Sequence, residues 1–219
     1  MSLSRHGRQI RGRRHFRVLE RTHPANRPRR PGLQAALACR DASNALNARL
    51  RSEGRPVWYT RFGVHLGEAV VGNVGSTDRL DYTAIGSAVN MGARLEGLNK
   101  FYKTQILVSD AVRAAVGDHF LFRPIDRVLA KETATPTTIY ELLSLKNSAS
   151  AGVTGRYAAW TEAYRLYEAR DWQGAHAIVE ALAAADADDK VATHFRDRIA
   201  GVLSAPPADW DGVTRFDTK

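Results

Sequence analysis

Apolar positions along the chain change their period from segment to segment. From Leu33 to Glu53 they fall at Leu33, Ala36, Leu37, Ala42, Leu46 and Leu50, the spacing of an amphipathic helix, and Gly54 ends it. Residues 57 to 143 switch between short apolar runs and helical stretches. VWYTRFGVHLG reads as a strand, Gly67 as the start of a turn, and AVVGNVG as its hairpin partner. LDYTAI is a further strand, and Ser87 caps a helix running to about Tyr102 with Val89, Ala93 and Leu98 among its apolar positions. QILVS reads as a buried strand, Ser109 or Asp110 caps the short helix DAVRAAV, and FLFRPI and TTIYELL close the segment as strands. This alternation, with hairpins in it, predicts an α+β sandwich.

Residues 156 to 203 return to a helical period. RYAAWTEAYRLYEARDW and GAHAIVEALAAAD predict an α-helical hairpin over 156–204, joined at Asp171 to Gly174. Ala163, Trp172, Ala175 and Leu182 sit near the small and aromatic positions of one tetratricopeptide-like unit. A single unit does not make a solenoid, so the favoured expectation is a hairpin that packs on its own domain. Residues 205–219 read as an extended tail.

Charge changes the picture at one end only. The net charge is +9, yet residues 1 to 33 contain ten arginines against one acid, Glu20, and the rest balances at 22 basic and 22 acidic residues. A nucleic-acid-binding arm is one reading of this segment; the other is a disordered Arg/Pro-rich tail carrying RPRRPG. No apolar run reaches the roughly 18 residues of a membrane span, and no apolar core follows the basic N-terminus as in a signal peptide. Cys39 is the only cysteine, which excludes an internal disulfide and fits a cytoplasmic location. The seven histidines form no zinc-type set.

Candidate chemistry gathers on the helix after Gly86. Asn90 and Arg94 are four residues apart, so they share a face. An arginine pairs bidentately with phosphate oxygens and can stabilise charge developing at phosphorus. An amide beside it can hold a sugar in attack geometry. Taken alone, the spacing describes any solvated helix face as well.

The surrounding motifs decide between those readings. RFGVHLGEAVVGNVGS, RLDYTAIGSAVNMGARLEGLNK, ILVS and FRPIDRVLAKETATPTTIYELL occur in that order. Over about residues 35 to 143 the series resembles the catalytic domain of class III adenylate and guanylate cyclases. The resemblance implies a ferredoxin-like sandwich, conversion of ATP to 3′,5′-cyclic AMP and pyrophosphate, and two divalent ions, Mg²⁺ or Mn²⁺. It implies a homodimer or a heterodimer with another cyclase domain, each site being shared between subunits. By position, Asn90 resembles the ribose-orienting asparagine and Arg94 the transition-state arginine. Lys131 resembles the lysine on the terminal phosphates, although LAKET replaces the usual VKGK. Thr83 occupies the purine-reading position, where a hydroxyl accepting from the adenine amino group favours ATP. Gly63, Gly67, Gly72, Gly75 and Gly86 fall at strand ends and turns.

The family's two metal-binding aspartates belong to motifs that this chain does not contain; Asp41, its first aspartate, lies inside a helix. Residues 34–145 therefore read as the C-terminal part of the catalytic domain, with the metal-binding half missing. Reading Arg8 to Pro24 one base later can yield DKFVGDATFAFWNAP, the family's metal hairpin, so residues 1–33 are expected to be a frameshifted translation. The gene's nucleotide sequence tests this directly. The expectation is a transition-state half-site of an adenylate cyclase; the alternative is an inactive nucleotide-binding or regulatory module that pairs with an intact cyclase.

Overall fold

The computed structural model describes residues 29–76, 79–130 and 135–216. The Arg/Pro-rich segment before Arg29, with its frameshift reading, lies outside the described residues, and so does Lys131. The chain runs through α1 (Arg29–Ser52), β1 (Phe62–Val64), β2 (Val70–Ser76), β3 (Arg79–Ile85), α2 (Ser87–Tyr102), β4 (Ile106–Ser109) and α3 (Asp110–Val116). It continues through β5 (Phe120–Ala130), β6 (Thr137–Leu145), α4 (Ala151–Glu168), α5 (Trp172–Ala185), α6 (Lys190–Ser204) and β7 (Val213–Phe216). Five strands form a mixed sheet in the order β1-β4-β6-β5-β7, while β2 and β3 pair separately as a ribbon. The α+β architecture expected from the sequence is the one observed.

Helices cover both faces of the sheet, which is why β4 is apolar and buried at successive positions. Ile106 and Val108 point to one side, into a cluster with Leu33, Leu37, Val112, Val116, Phe120 and Leu142. Leu107 points to the other, into a cluster with Leu95, Ile125, Ile139, Trp160, Phe195 and Ile199. A strand places successive side chains on opposite faces, so one short run serves both cores.

Strand partners differ from the expected ones. Phe62–Val64 does not form a hairpin with the next strand; it pairs in parallel with Ile106–Val108. The hairpin is made instead by β2 and β3, paired from Val70↔Ile85 to Ser76↔Arg79. Two apolar runs flanking Gly67 are strands in either arrangement, and the sheet core selects which one Phe62 and Val64 join. Helix α1 keeps Leu33, Ala36, Leu37 and Leu50 buried, but Ala42 and Leu46 are exposed.

The C-terminal region holds more structure than a helical hairpin and a tail. There are three helices, α4 beginning at Ala151 and α6 following α5, and β7 adds to the sheet in parallel with β5. Asp171 is an N-cap that accepts from the Gly174 amide at 2.9 Å, so α5 begins at Trp172, inside the expected joint. The main cluster mixes Leu95 and Ile139 with Trp160, Val179 and Ile199, so the helices share a core with the sheet.

Buried charges fasten these layers together. Arg123 on β5 donates to Glu141 on β6 (2.8 Å from Nε) and to Asp189 (2.7 Å from Nη1), and its guanidinium lies 4.8 Å from the Trp160 ring centroid. Asp189 also caps α6, accepting from the Val191 and Ala192 amides at 3.1 Å each. Replacing Asp189 by Ala removes a cap and leaves the Arg123 charge only partly compensated. The expected loss is about 3 kcal/mol of unfolding free energy in a urea titration. A change below about 0.5 kcal/mol would show the contact to be energetically idle.

Candidate active site

The candidate residues lie on one continuous piece of backbone, β2–β3–Gly86–α2. Seven cross-strand pairs define the ribbon, and Thr83 stands opposite Gly72 in it. Thr83 is half-buried, while Val70, Val74 and Ile85 on the same ribbon face are exposed. A Cβ built on Gly72 would meet nothing within 4 Å, so the space beside Thr83 is open.

Gly86 turns the chain from strand into helix. Its φ of +140° is a conformation that side-chain-bearing residues rarely adopt. It occupies the N-cap position of α2, and its carbonyl accepts from the Val89 amide (3.1 Å) and the Asn90 amide (3.2 Å). Ser87, expected as the cap, is the first helical residue and makes no capping bond. The reason is geometric: the sharp turn has to fall on the residue without a Cβ.

Met91, Leu95, Asn99 and Tyr102 form the buried stripe of α2, while Val89, Ala93 and Leu98 are only half-buried. Asn90 and Arg94 lie to one side of that stripe, one turn apart, with Asn90 exposed and Arg94 half-buried. No acidic residue stands in the first turn of α2, so the positive end of the helix dipole is not offset there. An exposed amide, with a guanidinium one turn further along the same helix, suits an anionic, hydroxyl-bearing ligand.

Close packing holds α2 on the sheet. A Cβ on Gly63 would lie 2.2 Å from the Gly92 carbonyl oxygen and 2.3 Å from the Glu96 nitrogen. Asn99, fully buried, donates to the Phe62 carbonyl at 3.0 Å and accepts from the Thr104 hydroxyl at 2.7 Å. His65 meets the buried Ser109 hydroxyl through Nδ1 at 2.8 Å. Ser109 consequently makes no capping bond to α3; Asp110 takes the Ala111 amide at 2.7 Å instead. Burial pulls the His65 imidazole below its ordinary value, and Asp110 acts in the opposite sense.

Two features escaped sequence reasoning. Arg123 and Asp126 are buried charges inside an apolar strand, and a register shift between Pro124 and Asp126 lets consecutive residues Ile125 and Asp126 both turn toward the C-terminal helices. The available signal was a proline and two charges within one strand run, which marks a bulge. For metal ions, the described residues contain no group of three or more His, Cys, Asp or Glu able to hold one. They do not fit the two-ion site that the resemblance implies.

No protein-family model matches the chain. Over 125 residues it is 42% identical to adenylate cyclase 1 of Rhizobium meliloti (strain 1021), covering 57% of this chain and 19% of that protein. Over 92 residues it is 39% identical to an adenylate cyclase of Anabaena cylindrica, covering 41% of this chain and 18% of that protein. Among solved structures, the adenylyl cyclase CyaB from P. aeruginosa is similar at a TM-score of 0.44 and 27% identity, over 52% of this chain and 58% of that one. These matches support a class III cyclase domain in the chain. It spans less than a fifth of the length of the two curated relatives. No helix among the described residues is long and apolar enough to cross a membrane.

Proposed function

We propose that this chain supplies the transition-state half of an adenylate-cyclase active site, and that a second cyclase domain supplies the metal-binding half. The observation that carries this reading is the placement of Asn90 and Arg94 one turn apart in the first half of α2, the helix that follows the ribbon strand bearing Thr83. Asn90 orients the ribose so that its 3′-hydroxyl faces the α-phosphorus. Arg94 binds the phosphate oxygens as they gain charge, and the N-terminal end of α2 adds positive potential. Thr83 accepts from the adenine amino group, with Gly72 leaving room for the base. Lys131 is assigned to the terminal phosphates by sequence position alone.

Divalent ions, Mg²⁺ or Mn²⁺, belong to the reaction through the family, and the partner brings their ligands. The exposed apolar face of the ribbon, with Val70, Val74 and Ile85, suits contact with that partner.

The test uses purified chain, Mn²⁺ and ATP. Alone, it is expected to form little cyclic AMP. Mixed with a cyclase domain whose metal aspartates are intact but whose own asparagine and arginine are replaced, it should restore turnover. Strong activity from the chain alone would refute the half-site. Silence in the mixture, with ATP or a partner still bound, would favour a regulatory module instead.

A further inference from the structure

We propose that Arg198 on α6 and Thr214 on β7 are positioning residues for the Asn90–Arg94 face of α2, acting through Asp126 and Tyr102. This rests on the half-site reading for its catalytic consequence, but the geometry stands independently. Asp126 is fully buried on β5 and collects donors from three other elements. Its Oδ2 accepts from Arg198 Nη1 at 2.7 Å, from the Thr214 hydroxyl at 2.6 Å and from the hydroxyl of Tyr102. Its Oδ1 accepts from Arg198 Nη2 at 3.2 Å and from the Arg127 amide at 2.8 Å. Arg198 also donates to Thr214 at 2.8 Å, and its guanidinium lies 5.3 Å from the Tyr167 ring centroid.

The arrangement makes the C-terminal elements part of the anchor for α2. Tyr102 is the last residue of that helix, and its side chain is buried. A buried carboxylate without a countercharge is strongly disfavoured, so Asp126 can hold Tyr102 only while Arg198 stays docked. Helix α2 is thus held along its middle, by Gly63 against Gly92 and Glu96 and by Asn99 on the Phe62 carbonyl, and at its end by this cluster. Releasing the end lets α2 tilt about its middle, which displaces Asn90 on the far side of that contact and re-aims the Arg94 side chain beside it. A displacement of about 1 Å at reacting groups can cost on the order of 100-fold in rate, so a partial loosening should cost about tenfold.

Neither Arg198 nor Thr214 lies near α2 in sequence, and both lie beyond the cyclase-like motif series, which ends at about residue 143. The C-terminal helices therefore do more than cover a sheet face: they set the stiffness of the helix that carries the candidate chemistry.

The experiment uses the full chain with Tyr102→Phe and Thr214→Val, each of which removes one hydroxyl and little volume, and with Arg198→Met as the severe case. Backbone hydrogen exchange is measured on the chain alone, and turnover is measured in the complemented mixture well below each melting temperature. Faster exchange confined to residues 90–102, with β4 and β6 unchanged, is expected in the two mild variants. Turnover should fall about tenfold, with KM for ATP within about twofold. Uniform acceleration across the sheet, or no change in α2, would overturn the proposal. If the wild-type mixture itself is inactive, the half-site reading fails, and the exchange pattern alone still decides whether these residues position α2. Should Arg198→Met fail to fold, the hydroxyl variants carry the result.

Discussion

Replacing Arg94 by Ala is expected to lower turnover of the complemented mixture by about 100- to 1000-fold, with KM for ATP little changed. In the proposed half-site the guanidinium binds oxygens that become more negative as the α-phosphorus is attacked, so its contribution grows on the way to the transition state. Loss of such an interaction appears in kcat and kcat/KM together. Arg94→Lys should recover only a small part, because an ammonium is a compact charge without the planar fork that spans two oxygens. The melting temperature of each variant, recorded alongside, separates a catalytic loss from a folding loss. Unchanged turnover in Arg94→Ala would remove this residue from the mechanism and leave the α2 face as ordinary helix surface.

Gly63→Ala is expected to destabilise the fold by about 3 kcal/mol or more, which is large for the addition of one methyl group. The new Cβ would fall 2.2 Å from the Gly92 oxygen and 2.3 Å from the Glu96 nitrogen, and both are backbone atoms. A flexible side chain could swing away, but a helix backbone cannot yield without moving as a unit. Either α2 separates from β1, or the short strand leaves its pairing with Ile106–Val108. Both outcomes also shift Asn90 and Arg94. A urea titration gives the stability loss, and Gly72→Ala is the control. A Cβ at Gly72 meets nothing within 4 Å, so that variant should unfold close to wild type. Equal behaviour of the two variants would show that the close approach at Gly63 is not a constraint.

Local pattern made much of the candidate segment legible. The helix from Ser87 to Tyr102 follows from apolar spacing behind a glycine, and the i, i+4 placement of Asn90 and Arg94 follows from helix geometry alone. The buried strand Ile106–Ser109 and the short helix after it are likewise local in origin. The pairing of strands was not legible. Phe62–Val64 could be read as half of a hairpin because strand propensity carries no information about which edge a strand joins. Its parallel partner, Ile106–Val108, lies beyond the ribbon and the whole of α2.

The C-terminal region shows the same division. Helical periodicity in residues 156 to 203 was plain, but the number of helices depended on caps at Ser150, Asp171 and Asp189. The strand Val213–Phe216 is only four residues long with the polar Thr214 and Arg215 at its centre, and it is stabilised by β5 rather than by its own composition. Sequence by itself determined the cyclase-like motif series and the shared face of Asn90 and Arg94, because each depends on residues close together in the chain. Only the tertiary structure decided that Asp126 would gather Tyr102, Arg198 and Thr214, and that Gly63 would press against Gly92. A buried charge is tolerable only where distant donors converge on it, and a helix and a strand can touch backbone to backbone only where both lack side chains. Both conditions are set by the packed molecule and by no single stretch of it.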